Sequence, residues 1–194
     1  MKIVQTSLDG VFYIEPTIYS DARGYFFESF NAEQFAHETG LEPHFVQDNE
    51  AKSRRGVVRG LHYQLPPYAQ AKLVRVVSGV VWDVAVDIRR NSPTFGQYTA
   101  IELSGENKRQ LYIPEGFAHG YAVLSDEAVF QYKCDNFYAP QSEGGISILD
   151  ESLGIDWQIP TENAVLSEKD IKHLCLKDFD SPFDYSMNLY PEFE

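Results

Sequence analysis

KLVRVVSGVVWDVAVDI, Lys72 to Ile88, is the stretch on which the fold is read. Its second half alternates. Trp82, Val84, Val86 and Ile88 fall on one side of an extended chain, and Val81, Asp83, Ala85 and Asp87 on the other. Successive side chains of an extended backbone point to opposite faces, so this is the pattern of a half-buried strand. Lys72 to Val77 is a second apolar run, and Ser78-Gly79 separates the two, so the segment reads as a hairpin. Outward from it lie further strand candidates at 11–19, 25–30, 44–50, 57–65, 98–104, 109–113, 119–125, 128–134 and 145–149. Many short strands with Gly, Pro and Asn between them predict a mainly β protein, a sandwich or jelly-roll barrel of antiparallel strands.

Helical signals are few. Asn31-Ala-Glu-Gln34 has the form of a capped start, Phe35 and Leu41 supply apolar anchors, and Gly40 is a stop signal. A second short helix is expected to begin near Ser167-Glu-Lys-Asp170. The 194 residues suit a single domain, 1–194, in which 178–194 is a C-terminal tail of weak periodicity and no assigned role.

Composition removes several classes of function. The net charge of −13 disfavours nucleic acid, whose binding rests on neutralising phosphates with Lys and Arg. There is no apolar run of about 18 residues to span a membrane, and MKIVQTSLDG lacks the apolar stretch of a signal peptide. Cys134 and Cys175 form no CxxC pair and read as buried thiols of a cytoplasmic protein. Against the acidic background, Lys52, Arg54, Arg55 and Arg59 cluster, followed by Lys72 and Arg75. Such a cluster either focuses a small anion into a cleft or simply blocks edge pairing of a strand.

The chemistry-bearing candidates lie in these strands. His62 shares its parity with Val58, Gly60 and Gln64, and an imidazole titrates near neutrality, as a general base must. Asp170 either orients such a ring or completes a capping box with Ser167. Tyr132 lies on a face with Ala128, Phe130 and Cys134, where a buried phenol needs a partner. Lys72, inside an apolar strand, needs an anion: Asp83 or Asp87 across the hairpin, or an oxyanion of a ligand. Strict alternation puts Arg59 and His62 on opposite faces, so a common site for both requires a bulge at Gly60.

These strings resemble the cupins and, over a longer span, the dTDP-4-dehydrorhamnose 3,5-epimerases. The general cupin pattern of His-x-His, a Glu, six residues and a Gly appears here as His62-x-Gln64, Lys72 and Gly79. The second motif is intact at Pro114, Gly116 and His119. A lysine in place of the acid argues for no metal, since divalent sites want carboxylate, imidazole or thiolate sets. The epimerase resemblance runs from about residue 3 to about 174. It rests on DARGYFFESFN, FVQDNEAKSRRGVVRGLHYQ, KLVRVVSGVVWDVAVDIR, ELSGENKRQLYIPEGFAHGYAVLSD, YKCDNFYAP, SEGGISILDESLGIDW and LSEKD.

The resemblance implies a cupin-type jelly roll that inverts C3 and C5 of a dTDP-linked 4-keto-6-deoxyglucose without a cofactor. It implies His62 as the base, Asp170 as its holder, Lys72 at the enolate oxygen and Tyr132 as the opposing proton donor. It also implies that Arg59, Gln47, Asn49 and His119 hold the sugar diphosphate, with Tyr138 and Glu143 at the base or diphosphate. Arg23, Phe26 and Glu28 would reach across from the second subunit of a strand-exchanged homodimer. Tyr25 to Phe30 is unusually aromatic for a free edge, which agrees with such an exchange. The competing readings are a single-carbon epimerase, a non-catalytic sugar-nucleotide binder, and a metal-dependent cupin using His62 and His119.

Overall fold

The computed structural model describes residues 1–187. Its elements are β1 (Lys2–Gln5), β2 (Phe12–Glu15), β3 (Tyr19–Asp21), β4 (Gly24–Phe26) and α1 (Ala32–Thr39). Then follow β5 (Gln47–Arg54), β6 (Val58–Gln64), β7 (Lys72–Ser78), β8 (Val80–Asp87) and β9 (Tyr98–Ser104). β10 (Gln110–Ile113), β11 (Phe117–Val123), β12 (Glu127–Cys134) and β13 (Glu143–Gly145) complete the strands. Most expected strands are present within a few residues. The run at 11–19 is instead two strands, β2 and β3, the run at 145–149 begins earlier as β13, and β1 is a strand outside the expected runs.

Two antiparallel sheets face each other. One has the order β1-β2-β10-β7-β12-β5, the other β13-β6-β11-β8-β9, and β3 and β4 form a separate ribbon. The expected hairpin at Ser78-Gly79 is therefore not one: β7 and β8 belong to different sheets. A single residue, Gly79, separates them, too little for a hairpin loop. With φ +83° and the β12 backbone pressed against it, Gly79 turns the chain through a corner that a side chain would block.

β8 also departs from its sequence pattern. It was expected to be half buried, yet both of its faces are covered. Val81 and Ala85 join the core between the sheets, with Val74, Leu111 and Phe130. Val84, Val86 and Ile88 point the other way, into a second core with Ile146, Trp157 and Phe183. The segment after β13 thus covers the outer face of the five-stranded sheet. The presumed tail takes part: Phe183 is buried and its carbonyl accepts a bond from Arg90 N–H at 2.9 Å. Residues 188–194 lie outside the described residues.

α1 covers the outer face of the other sheet. Asn31 Oδ1 accepts from Gln34 N–H at 3.0 Å, and Gly40 closes the helix at φ 72°, as its sequence signals predict. Its anchor Phe35 is buried against Phe12 and Tyr112, which contributes about 1.5–3 kcal/mol for a side chain of that size. The second expected helix is one 3-10 turn, Asp170–Lys172. No helix among the described residues is long and apolar enough to cross a membrane. Cys134 is buried, but Cys175 is only partly so, and both are free thiols.

Candidate active site

Between the two sheets, at one end of the sandwich, lies a cavity of about 370 Å³. Strand alternation supplies its walls. From the six-stranded sheet come Lys72 on β7, Tyr132 and Cys134 on β12, and Gln47 and Asn49 on β5. From the five-stranded sheet come Arg59 and His62 on β6 and His119 and Tyr121 on β11. Tyr138 and Glu143 stand at its rim, joined by a 2.7 Å hydrogen bond from the phenol to the carboxylate.

The conflict between Arg59 and His62 is resolved by the bulge that it demanded. His119 pairs with His62, but Tyr121 pairs with Arg59, so β6 carries one extra residue. That residue is accommodated at Gly60, φ +127°, where an added Cβ would stand 2.6 Å from Gly120 Cα. Glycine is required there, and the bulge turns both side chains into one cavity.

His62 Nε2 is 2.7 Å from Asp170 Oδ1. Asp170 is 4 % exposed, and burial pushes its carboxyl up, but the bond and charge of His62 outweigh that and hold it below the usual range. Ser167 Oγ also accepts from Asp170 N–H at 3.1 Å, so the capping half of the motif exists while the carboxylate serves the histidine. Asp170 Oδ1 on Nε2 leaves Nδ1 as the nitrogen available to a ligand.

Lys72 forms no ion pair among the described residues. Asp87, one expected partner, is held by Arg89 at 2.8 Å. Asp83, the other, comes from the opposite sheet and bonds His119 Nε2 at 2.9 Å, leaving its Oδ2 without a hydrogen bond. Burial pulls the Lys72 ammonium down, opposed by the fields of Cys134, Asp83 and Glu143. Tyr132 is pushed up to about 12, first by burial and then by Cys134 and Tyr121, so it remains a phenol at neutral pH.

Gln64, at the position where the cupin pattern has its second histidine, is spent on backbone. Its Nε2 donates to Tyr68 O at 2.6 Å and its Oε1 accepts from Ala139 N–H at 2.7 Å. Gln47 and Asn49 are linked at 3.0 Å, and Arg59 Nε donates to Ser53 Oγ at 3.1 Å. The wider basic cluster disperses: Lys52 pairs with Glu127 and Arg55 with Asp126 at the surface, and of its four residues only Arg59 lines the cavity.

Three expected site residues lie elsewhere in this chain. Arg23 is exposed at the tip of the β3–β4 ribbon and paired with Asp21 at 2.6 Å. Phe26 is 68 % exposed, and it and Glu28 line a separate cleft. Sequence reasoning passed over Tyr121, Cys134 and His173. The first two had a signal, an inward parity shared with His119 and Tyr132. His173 meets His62 edge-on, ring centroids 5.5 Å apart, through a turn that alternation cannot foresee.

A carboxylate-held imidazole, a lysine with no ion pair among the described residues and a protonated phenol from the facing wall define a cupin-type barrel equipped for proton transfer. A family model for dTDP-4-dehydrorhamnose 3,5-epimerase matches residues 5–178. The enzyme of that name from Shigella flexneri is 56 % identical over 171 residues, 88 % of this chain and 93 % of the relative. The crystal structure of the enzyme from Elizabethkingia anophelis NUHP1 aligns with a TM-score of 0.88 at 56 % identity, covering 92 % of this chain and 97 % of that one. That of a dTDP-6-deoxy-D-glucose-3,5-epimerase from Legionella pneumophila Philadelphia 1, in complex with dTDP-4-keto-L-rhamnose, gives 0.89 at 49 % identity, covering 100 % and 98 %. The chain belongs to the dTDP-4-dehydrorhamnose 3,5-epimerase family.

Proposed function

We propose that this isomerase inverts C3 and C5 of dTDP-4-dehydro-6-deoxy-D-glucose to give dTDP-4-dehydro-L-rhamnose, with its own side chains as the only proton carriers. The C4 ketone acidifies both neighbouring carbons. His62 Nδ1 removes a proton, and Asp170 stabilises the imidazolium that forms. The enolate oxygen is stabilised by the Lys72 ammonium, which forms no ion pair among the described residues. Tyr132 returns a proton from the other side, and inversion follows because donor and base act on opposite faces of the carbon. Phenolate and imidazolium then reset by exchange with solvent before the second carbon reacts.

The observation that carries this reading is that His62 and Tyr132 stand on the two opposed sheets around one cavity. Arg59, Gln47, Asn49 and His119 are the groups assigned to the sugar diphosphate, a ligand for which an arginine fork is suited. Arg23, Phe26 and Glu28 act on the nucleotide of a second subunit in a homodimer that exchanges the β3–β4 ribbon. Tyr19, Tyr25 and Phe26 are exposed on that ribbon, as such an exchange requires. A single cytoplasmic domain needing no metal or cofactor completes the reading.

Proton NMR of the substrate incubated with the protein in D2O tests it. Loss of signal at both C3 and C5 is expected; loss at one carbon makes it a single epimerase, and none at either removes the activity. Tyr132→Phe is expected to keep exchange at His62 while inversion falls by about 10²-fold or more. Sedimentation at micromolar concentration should give a dimer, and a monomer alone would count against ribbon exchange.

A further inference from the structure

We propose that His62, Asp170 and His173 form a binding site for a divalent transition ion, zinc foremost, whose occupancy switches the enzyme off. The three offer one ligand atom each, two imidazole nitrogens and a carboxylate oxygen, all within 4.8 Å of one another. Two nitrogens and one oxygen suit zinc and leave a fourth position for water. This set shares only His62 with the cupin pattern, whose other positions here are Gln64, Lys72 and His119.

The geometry is close to what an ion needs. Zinc bonds of about 2.0–2.1 Å in a tetrahedron place ligand atoms roughly 3.3 Å apart. His62 Nε2 and Asp170 Oδ1, now at 2.7 Å, part slightly, and His173 moves in. The shift is one of the ring, since the backbone beside it is held by Ser147 N–H on Leu174 O at 2.8 Å. A second observation points to a ligand: His173 Nδ1 is buried with no hydrogen-bond partner among the described residues. Such an atom has lost its water without compensation, which a native fold rarely tolerates. Gly144 and Gly145 on β13 make the room, because side chains there would collide with the rings of Tyr63 and His173. A surface cleft past Glu143, Glu168 and Lys172 gives an ion access, and the nearby Lys169 is already neutralised by Glu143.

The chemical consequence follows from the tautomer. An ion on Nε2 shifts the ring proton to Nδ1, the nitrogen that must be unprotonated to take a proton from substrate. Inhibition therefore rests on His62 being the base, whereas ion binding does not.

The test uses the chelator-stripped full chain, titrated with zinc sulfate by calorimetry and with cobalt chloride by visible absorption. The wild type should bind one ion per chain, with an intense tetrahedral cobalt band, and lose turnover as the site fills. His173→Asn and His173→Phe should each bind at least tenfold more weakly, lose the cobalt band, and resist inhibition relative to their own chelator-treated rates. Two variants of different size guard against a fault of packing. No zinc binding by the wild type, or equal binding and inhibition in all three proteins, overturns the site. Zinc bound in a His173-dependent way with turnover intact keeps the ion site but overturns the switch, while His62 as the base stands or falls with proton exchange by His62→Ala.

Discussion

β8 carries two buried carboxylates four residues apart on the same face, and they live in opposite circumstances. Asp87 is saturated. It accepts from the Arg89 backbone at 2.9 Å, from Arg89 Nε and Nη2 at 3.0 and 2.8 Å, and from the hydroxyls of Ser92 and Thr94 at 2.6 and 2.7 Å. The Arg89 guanidinium also lies over the rings of Phe117 and Tyr185, 4.3 and 5.0 Å from their centroids. Burial acts to raise the Asp87 pKa, but these bonds win and hold it low. Asp83 has one bond, from His119, and an orphaned oxygen. Burial raises its pKa, and neither His119 nor Lys72 fully offsets that. A finished ion pair belongs to structure, because every lone pair has a partner without a ligand. An unfinished set, beside a lysine with no ion pair among the described residues, is what a site awaiting a substrate would present.

Removing His62, the proposed base, is expected to have the largest effect. His62→Ala should lower deuterium exchange at C3 by about 10²–10⁴-fold in the folded protein; exchange at the wild-type rate would sink the mechanism. Next comes the finished pair. Asp87→Ala leaves Arg89 buried and uncompensated and should cost about 3–5 kcal/mol in denaturant unfolding, while the folded fraction keeps its turnover. Lys72→Met is its inverse. Losing the charge on the enolate oxygen should cost about 10²–10³-fold in rate, and the protein should be no less stable, since a desolvated ammonium has been removed. If Lys72→Met unfolds the protein and Asp87→Ala inactivates it, the finished ion pair and the cavity lysine have been read the wrong way round.

The smallest effect sharpens the contrast most. Asp83→Asn should change stability at neutral pH by less than about 1 kcal/mol, or improve it, because it removes an under-satisfied buried charge. Its pH dependence should oppose that of Asp87. The Asp87 pKa is lowered on folding, so its contribution is present above the ordinary value of 3.8 and is lost as pH falls through the lower folded value. The Asp83 pKa is raised, so its contribution is full below 3.8 and is lost as pH rises through the folded value. Melting curves from pH 3 to pH 8 should therefore show Asp83→Asn gaining on the wild type as pH rises, and Asp87→Asn falling behind. Parallel curves would refute the distinction.

Much of this was legible in the chain. Alternation placed Tyr132 with Phe130 and Cys134 on an inner face, the cap and stop of α1 were correct, and the demand for a bulge at Gly60 was met. Legibility failed where a strand's partner mattered. The pattern at Ser78-Gly79 reads equally as a hairpin and as a corner, since both need a glycine between two apolar runs. The half-buried reading of β8 failed because its second cover, Ile146 to Phe183, arrives from sixty and more residues downstream.

Local order is what the sequence by itself determined: which segments extend, which side chains share a face, and which chemical groups are on offer. Those properties depend on backbone geometry that repeats every two residues and needs no distant partner. Only the tertiary structure decided that β7 and β8 enter opposing sheets, and so that Lys72 and Tyr132 face His62 across a cavity. It also decided that Asp170 reaches His62 across 108 residues of chain, and that Asp87 finds an arginine while Asp83 does not. Those outcomes depend on which surfaces bury one another. That is settled by the summed free energy of the whole fold, and no spacing along the chain encodes it.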